Sequence, residues 1–121
     1  MSETQKQKDE FCLHLISNTN SAEALSWLQD STKLRTLGVL GSKEESISLV
    51  TTVLEAGAVQ VFAVEIDCDV DEENTGKLCI ELPNDQVLRQ RVFDWTGQIA
   101  EEQGFEQELD IGQQYIFVML D

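Results

Sequence analysis

The terminal segment YIFVML, residues 115–120, constrains the fold more than any other feature of the sequence. Its β-branched and aromatic side chains predict a strand. Side chains alternate between the faces of a strand, so Tyr115, Phe117 and Met119 lie on one face and residues 116, 118 and 120 on the other. Because both faces are apolar, the fold must cover this strand on both sides.

Two segments have the periodicity of amphipathic helices. The first begins at Ser42, which forms an S-x-x-E capping box with Glu45, and it ends at Gly57. The second is capped by residue 84 or 85 and ends at Gly104. Its apolar stripe consists of Leu88, Val92, Trp95 and Ile99.

Three more segments are predicted as strands, at residues 33–41, 58–67 and 76–83. The first has apolar residues in both alternating sets and should be covered on both faces. The other two form an antiparallel hairpin. We expect Ile66 to pair with Leu78 rather than Ile80, because that register sets Asp67 against Lys77 and avoids a contact between two glutamates.

The element order is therefore strand, helix, strand, strand, helix, strand. This order predicts an α+β fold of the ferredoxin-like (split βαβ) type, a two-layer sandwich with an N-terminal helical extension. We expect a flexible tail over residues 1–10 and a single domain over 11–121. Within the domain, 11–31 form a helical preface of two short helices, the second capped by Ser21, and 34–121 form the βαββαβ core.

In a two-layer sandwich only one face of the sheet contacts the helices. The face that carries Tyr115, Phe117 and Met119 then needs a cover, so these residues are candidates for a second core or for an interface. Residues 11–30 folding back over the sheet provide one cover. A second subunit in a homodimer provides the other, and we favour the first.

The charge distribution limits the class of partner. The 121 residues include 8 basic and 23 acidic side chains, a formal net charge of −15, of which residues 61–121 contribute −12. Nucleic acids and anionic membranes bind through Lys and Arg, so both are poor partners for this chain. A protein with a basic surface is the better candidate.

The most acidic stretch lies between the second and third predicted strands. Its residues are Asp67, Asp69, Asp71, Glu72 and Glu73. A calcium loop of the EF-hand type needs glycine at position six and glutamate at position twelve, but counting from Asp67 these positions hold Glu72 and Leu78. We interpret the run as a solvated loop and predict no metal ligands in it.

The turn between the first strand and the first long helix is a weak candidate for anion binding. Gly41 and Ser42 precede the helix and Lys43 follows them, so backbone amides and an ammonium group lie close together. The turn lacks the remainder of a phosphate-binding motif. Capping of the helix by Ser42 and Glu45 is the simpler interpretation.

No set of residues in the sequence forms a recognisable catalytic or cofactor motif. The single histidine, His14, has no second ligand in zinc spacing, and three cysteines without a C-x-x-C pair are typical of reduced thiols in the cytoplasm. No apolar run reaches the length of a membrane span or of a signal-peptide core.

These observations favour a cytoplasmic, non-enzymatic binding or regulatory module that acts through protein contact. One alternative is a small-ligand-binding protein or small enzyme with a pocket between sheet and helices. A second is an acidic, antitoxin-like inhibitor that masks a basic target. The sequence predicts no cofactor.

Overall fold

The computed structural model describes residues 4–30 and 33–120. Four helices lie within these ranges: α1 Gln5–Ile16, α2 Ala24–Gln29, α3 Lys43–Ala56 and α4 Gln86–Gln103. The strands within them are β1 Ala22–Glu23, β2 Leu34–Leu37, β3 Gln60–Ala63, β4 Asp67–Cys68, β5 Glu72–Thr75, β6 Lys77–Glu81 and β7 Tyr115–Met119.

The strands form two sheets. The larger is antiparallel with the order β1-β3-β6-β7, and the smaller has the order β2-β5-β4, in which β2 and β5 are parallel. The predicted α+β class is confirmed. The ferredoxin-like arrangement is not, because the first predicted strand lies in the second sheet instead of joining the other three.

The Asn74 side chain, next to the acidic stretch, helps to hold β2 in that second sheet. Asn74 Nδ2 donates to the backbone oxygens of Thr36 and Gly38, at 3.2 and 3.1 Å. The strand ends at Leu37, and the next residue, Gly38, has a φ of 54°. Leu34 and Val39 are exposed, so the prediction that this strand is covered on both faces was wrong.

The main core lies between α2, α3 and α4 and one face of the larger sheet. Its fully buried side chains include Leu28, Val50, Val53, Val61, Leu78, Ile80, Val92 and Ile116. Burial of several such side chains contributes roughly 1.5–3 kcal/mol each, which makes this cluster the main source of stability. Both long helices have the predicted end residues, with Ser42 and Asp85 as N-caps and Gly57 and Gly104 at the C-termini. Ser42 accepts a hydrogen bond from the Glu45 amide, but among the described residues the Glu45 side chain does not complete the predicted capping box.

The opposite face of the larger sheet is covered by α1. Cys12 and Leu15 pack there against Val64 and Cys79, with Phe117 at the margin of the cluster. The helix begins at Gln5, within the segment predicted as a flexible tail, because Thr4 and Gln7 form a complete capping box. Residues 1–3 lie outside the described part of the chain.

The predicted cap of α2 was wrong. Glu23 is the N-cap, and its carboxylate accepts hydrogen bonds from the amides of Leu25 and Ser26. Ser21 instead donates its hydroxyl to the carbonyl oxygen of Ile16, at 2.6 Å, which closes the turn after α1.

The predicted hairpin register was also wrong. Val61 pairs with Ile80 and Ala63 with Leu78, so β3 and β6 are shifted by an odd number of residues from the expected alignment. Beyond the paired residues, Glu65 has a φ of 49° and interrupts the alternation of side chains. Ile66 therefore reaches the main core, whereas Val64 packs under α1.

Candidate functional site

Strand β7 lies at one edge of the larger sheet, and β1 lies at the other. The pairing of β7 with β6 includes hydrogen bonds from Leu82 N to Gln114 O and from Leu120 N to Gly76 O, both 2.7 Å. In an antiparallel pair only alternate residues direct their backbone groups to the partner strand. The backbone groups of residues 115, 117 and 119 consequently point away from β6.

Helix α1 closes one end of this edge. Asp9 Oδ1 accepts hydrogen bonds from the amides of Gln114 and Tyr115, at 2.8 and 3.1 Å. Phe117 and Met119 make no comparable bond to any of the described residues with their outward backbone groups. We call these outward groups of Phe117 and Met119 the open edge.

A cleft of about 150 Å³ lies beside the open edge on the side of α4, and we call it the α4 cleft. Thr96 and Ala100 form its helical wall, while Phe105, Glu106 and Glu108 form its outer wall. The floor is residues 116–119 of β7. This cleft combines apolar surface with two carboxylates and has no basic side chain in its lining.

A second cleft of about 190 Å³ lies on the side of α1, and we call it the α1 cleft. It is lined by Lys8, Phe11, Cys12, Glu108, Tyr115 and Phe117. Glu108 and Phe117 therefore contribute to both clefts. The open edge lies between two clefts that open on opposite faces of the sheet.

The charges around the clefts are unevenly distributed. Lys8 Nζ lies 2.6 Å from Glu108 Oε2, and this pair partly neutralises the α1 cleft. Glu106 is exposed in the α4 cleft, and the last turn of α4 adds the exposed Glu101 and Glu102. The α4 side of the open edge is thus the more negative side.

The segment that forms the outer wall, residues 104–114, has no helix or strand but is firmly attached. Arg89 Nη2 lies 2.6 Å from Asp110 Oδ1, and Arg89 Nη1 donates to the Pro83 carbonyl oxygen. The hydrogen bond from Arg89 holds the pKa of Asp110 below its usual range. Gln113 is fully buried and bonds the amide of Ile111 and the carbonyl oxygen of Leu109.

The three predicted interface or second-core residues lie on β7 and are half-buried. The ring of Phe117 makes an edge-to-face contact with Phe11 at 5.1 Å between centroids. Tyr115 packs beside Cys12, and burial raises the pKa of its phenol. Met119 lines the α4 cleft. The side chains of Tyr115 and Phe117 are therefore covered by α1 within a single chain.

The acidic stretch forms a small hairpin rather than a loop. Its strands are β4 and β5, with Asp67 opposite Asn74 and Cys68 opposite Glu73. Asp67, Asp69, Asp71 and Glu72 are exposed, as predicted for a solvated surface. Glu73 is different, because its side chain is only 12% exposed.

Glu73 is the centre of a polar network that connects β5 to α2 and β2. Trp27 Nε1 and Arg35 Nε each donate to Glu73 Oε1 at 2.9 Å, and Lys33 Nζ lies 3.4 Å from Oε2. Arg35 also lies over the Trp27 ring. The hydrogen bond from Trp27, followed by those from Arg35 and Cys68, lowers the pKa of Glu73 to about 2. This network is a structural connection and not a reactive site.

The thiols have little nucleophilic character. Cys68 is exposed, but its hydrogen bond to the Glu73 carboxylate raises the pKa of the thiol. Cys12 and Cys79 are buried together, and their mutual hydrogen bond raises the pKa of Cys79. His14 is exposed on α1.

At the predicted anion site, residues 41–43, Ser42 and Lys43 make contacts within the protein. Ser42 Oγ accepts a hydrogen bond from the Glu45 amide, and Lys43 Nζ lies 3.4 Å from the Gln29 carbonyl oxygen. Glu44 and Glu45 lie in the first turn of α3 and oppose a bound anion by charge repulsion. Gly41 has open space around it.

Residues 4–30 and 33–120 contain no group of three or more His, Cys, Asp or Glu side chains placed to hold a metal ion. In the same part of the chain, no helix has both the length and the apolar character needed to cross a bilayer. Comparisons with protein-family models, curated protein sequences and solved structures find no match to this chain.

Sequence reasoning missed several residues of this region, namely Asp9, Glu106, Glu108 and Phe105. Asp9 lies in the segment predicted as a flexible tail, and the sequence indicates no site in the segment after Gly104. In the segment after Gly104, exposed apolar residues alternate with acidic and amide residues. That pattern does not indicate a binding site until the sheet order shows that β7 is an edge strand.

Proposed function

We propose that this chain is a non-enzymatic binding module that recognises another protein at the open edge of β7. The observation that carries the proposal is the pair of outward backbone positions, Phe117 and Met119, flanked by a cleft on each face of the sheet. An unpaired strand edge is a template for pairing with another chain, and soluble proteins usually cover or blunt it. Here the α1 end is closed by Asp9, while the outward backbone groups of Phe117 and Met119 make no hydrogen bond to the described residues.

The partner we propose carries an extended, basic segment. The α4 cleft is lined by Glu106 and Glu108, of which Glu108 is paired with Lys8, and the chain has a formal net charge of −15. Complementary charge increases the rate of association and favours the correct partner. A basic partner is also what the antitoxin-like hypothesis requires, in which an acidic protein masks a basic target.

Two other readings have less support. A homodimer was motivated by an uncovered face on β7, but α1 covers the side chains of Tyr115 and Phe117 within one chain. Neither cleft beside β7 supports a small-molecule site, because their volumes of about 150 and 190 Å³ are below the roughly 300–1,000 Å³ typical of ligand pockets. We retain a cytoplasmic location as part of the proposal, since all three cysteines are free thiols.

The proposal is tested by selecting peptides from a displayed random library on the immobilised protein and measuring their affinity in solution. Ala100→Phe places a ring in the α4 cleft and should abolish or strongly weaken binding of the selected peptides. Thr52→Phe is the matched control, because it adds the same ring to an exposed position on α3, away from β7.

The expected result is saturable binding that Ala100→Phe removes and Thr52→Phe leaves unchanged. Thermal unfolding of both variants establishes that they are folded. Failure to select any peptide that binds saturably, or equal binding by the folded Ala100→Phe variant, would refute the proposal that this edge is a protein-binding site.

A further inference from the structure

We infer that the partner binds by adding a strand to β7, with alternate side chains entering the two clefts and basic side chains on the α4 side. This inference rests on the proposed function and specifies its geometry and the chemistry of the partner. It commits to an extended peptide segment rather than to a helix, a folded surface or a second copy of this chain.

The geometry of the edge supports strand addition. An added strand would receive main-chain hydrogen bonds from the outward N–H and C=O groups of Phe117 and Met119. Successive side chains of that strand project to opposite faces of the sheet. The α4 cleft and the α1 cleft lie on those two faces, and both include Phe117 in their lining.

The two clefts differ in a way that fixes the orientation of the side chains. In the α1 cleft the charges of Lys8 and Glu108 are paired with each other at 2.6 Å, and Phe11 and Tyr115 contribute aromatic surface. An apolar side chain is the suitable occupant there. In the α4 cleft Glu106 has no cationic partner among the described residues, and Phe105 provides an exposed ring.

A Lys or Arg side chain suits the α4 cleft for two reasons. Its aliphatic stem can pack on Phe105 and Val118, while its charged group can reach the carboxylate of Glu106. A guanidinium group can in addition lie against the aromatic ring. The segment recognised should therefore alternate apolar and basic residues over the length of β7, about five residues.

The first experiment measures hydrogen exchange by NMR with a defined probe. The probe is a capped peptide of about ten residues that alternates valine and lysine, long enough to form a strand beside β7. In the free protein the amides of Phe117 and Met119 should exchange fast and that of Val118 slowly, since only Val118 bonds within the sheet. Binding should slow exchange at 117 and 119 by about tenfold or more, equivalent to one new hydrogen bond.

The second experiment removes one of these donors. Met119→Pro deletes the outward N–H without removing a bond to β6, and proline is tolerated at such edge positions. It should weaken binding of the valine–lysine peptide by about tenfold, the equivalent of one hydrogen bond. Met119→Leu keeps the N–H and should bind normally. Denaturant unfolding of both variants checks that the fold is intact.

The third experiment tests the charge preference. Replacing lysine by glutamate in the peptide should abolish detectable binding, and Glu106→Lys should weaken the valine–lysine peptide by about twofold to fivefold. Arginine in place of lysine should bind at least as well.

Several outcomes would overturn the inference while leaving the proposed function in place. These are a selected peptide that binds without protecting the amides of 117 and 119, equal affinity of the folded Met119→Pro variant, or a preference for the glutamate peptide. Dimerisation of the protein through β7 that excludes the peptide would also overturn it, because the occupant would then be a second copy. Failure to select any binding peptide would instead refute the proposed function itself.

Discussion

Arg35 Nε donates a hydrogen bond to Glu73 Oε1 at 2.9 Å, and each of the two side chains is less than 15% exposed. The pair joins β2 to β5 across a parallel register that sets Arg35 directly opposite Glu73. The acidic stretch, which the sequence predicts to be a solvated loop, is thus attached to β2 by the carboxylate of Glu73.

Glu73 should make stability depend on pH in acid. Its folded pKa of about 2 lies below the usual value of about 4.3. The ionised Glu73 carboxylate contributes its full stabilisation at pH values above its pKa in the unfolded chain. That stabilisation is lost as the pH falls towards the pKa in the folded protein, because in this range the unfolded chain binds a proton that the folded protein does not. The loss should approach about 1.4 kcal/mol per pH unit from this group.

The measurement is urea unfolding at several pH values for wild type, Glu73→Gln and Glu72→Gln. Glu73→Gln should remove this part of the acid dependence and cost about 1.5–3 kcal/mol at neutral pH. Glu72 is the neighbouring exposed residue, so Glu72→Gln should retain the acid dependence of the wild type. Parallel curves for wild type and Glu73→Gln would contradict the prediction.

Gly38 should not tolerate a side chain. Its φ is 54°, and a β-carbon built there would lie 2.1 Å from the carbonyl oxygen of Leu120. Gly38→Ala should therefore destabilise the protein by about 2–4 kcal/mol, through backbone strain and overpacking. Gly41→Ala is the matched control, because nothing lies within 4 Å of its β-carbon position. Similar unfolding curves for the two variants would disprove this interpretation.

The three thiols should react in two classes. In the folded protein a disulfide reagent should modify Cys68 alone, and more slowly than a free thiol, because the Glu73 carboxylate raises the pKa of Cys68. Cys12 and Cys79 should react only on unfolding, since both are buried under α1. Mass spectrometry of the labelled peptides identifies the sites, and early labelling of Cys12 would show that α1 detaches readily.

Asp9 should hold α1 against the start of β7. Asp9→Ala removes the acceptor for the amides of Gln114 and Tyr115 and should cost about 1–3 kcal/mol. Glu10→Ala is the control, because Glu10 makes only an exposed pair with Lys6, which should contribute little. Denaturant unfolding compares the variants, and exchange of the two amides should accelerate in Asp9→Ala only. An unchanged midpoint for Asp9→Ala would count against this role.

The sequence predicted the helix ends and the last strand, because these depend on interactions between residues that are close together in the chain. The caps at Ser42 and Asp85 and the terminators Gly57 and Gly104 are found where the capping rules place them. The strand at 115–119 and its two apolar faces are also found. These features depend on residues within a few positions of one another.

Features that depend on distant residues could not be predicted in the same way. The second sheet exists because Glu73 and Asn74 bond to residues about 40 positions earlier, and no periodicity in β5 indicates this. The positive φ of Glu65, which is rare for this residue type, interrupts the side-chain alternation after β3, and no pattern in the sequence indicates it. The candidate edge could be located only after the sheet order was known.

The contact between Asp9 and Gln114 joins residues that are 105 positions apart. During synthesis on the ribosome, α1 emerges early but cannot dock until β7 has been made, at a rate of about 5–20 residues per second. For several seconds, therefore, the apolar side of α1 is exposed on the nascent chain because β7 has not yet been made. A chaperone could bind the exposed side of α1 during this time.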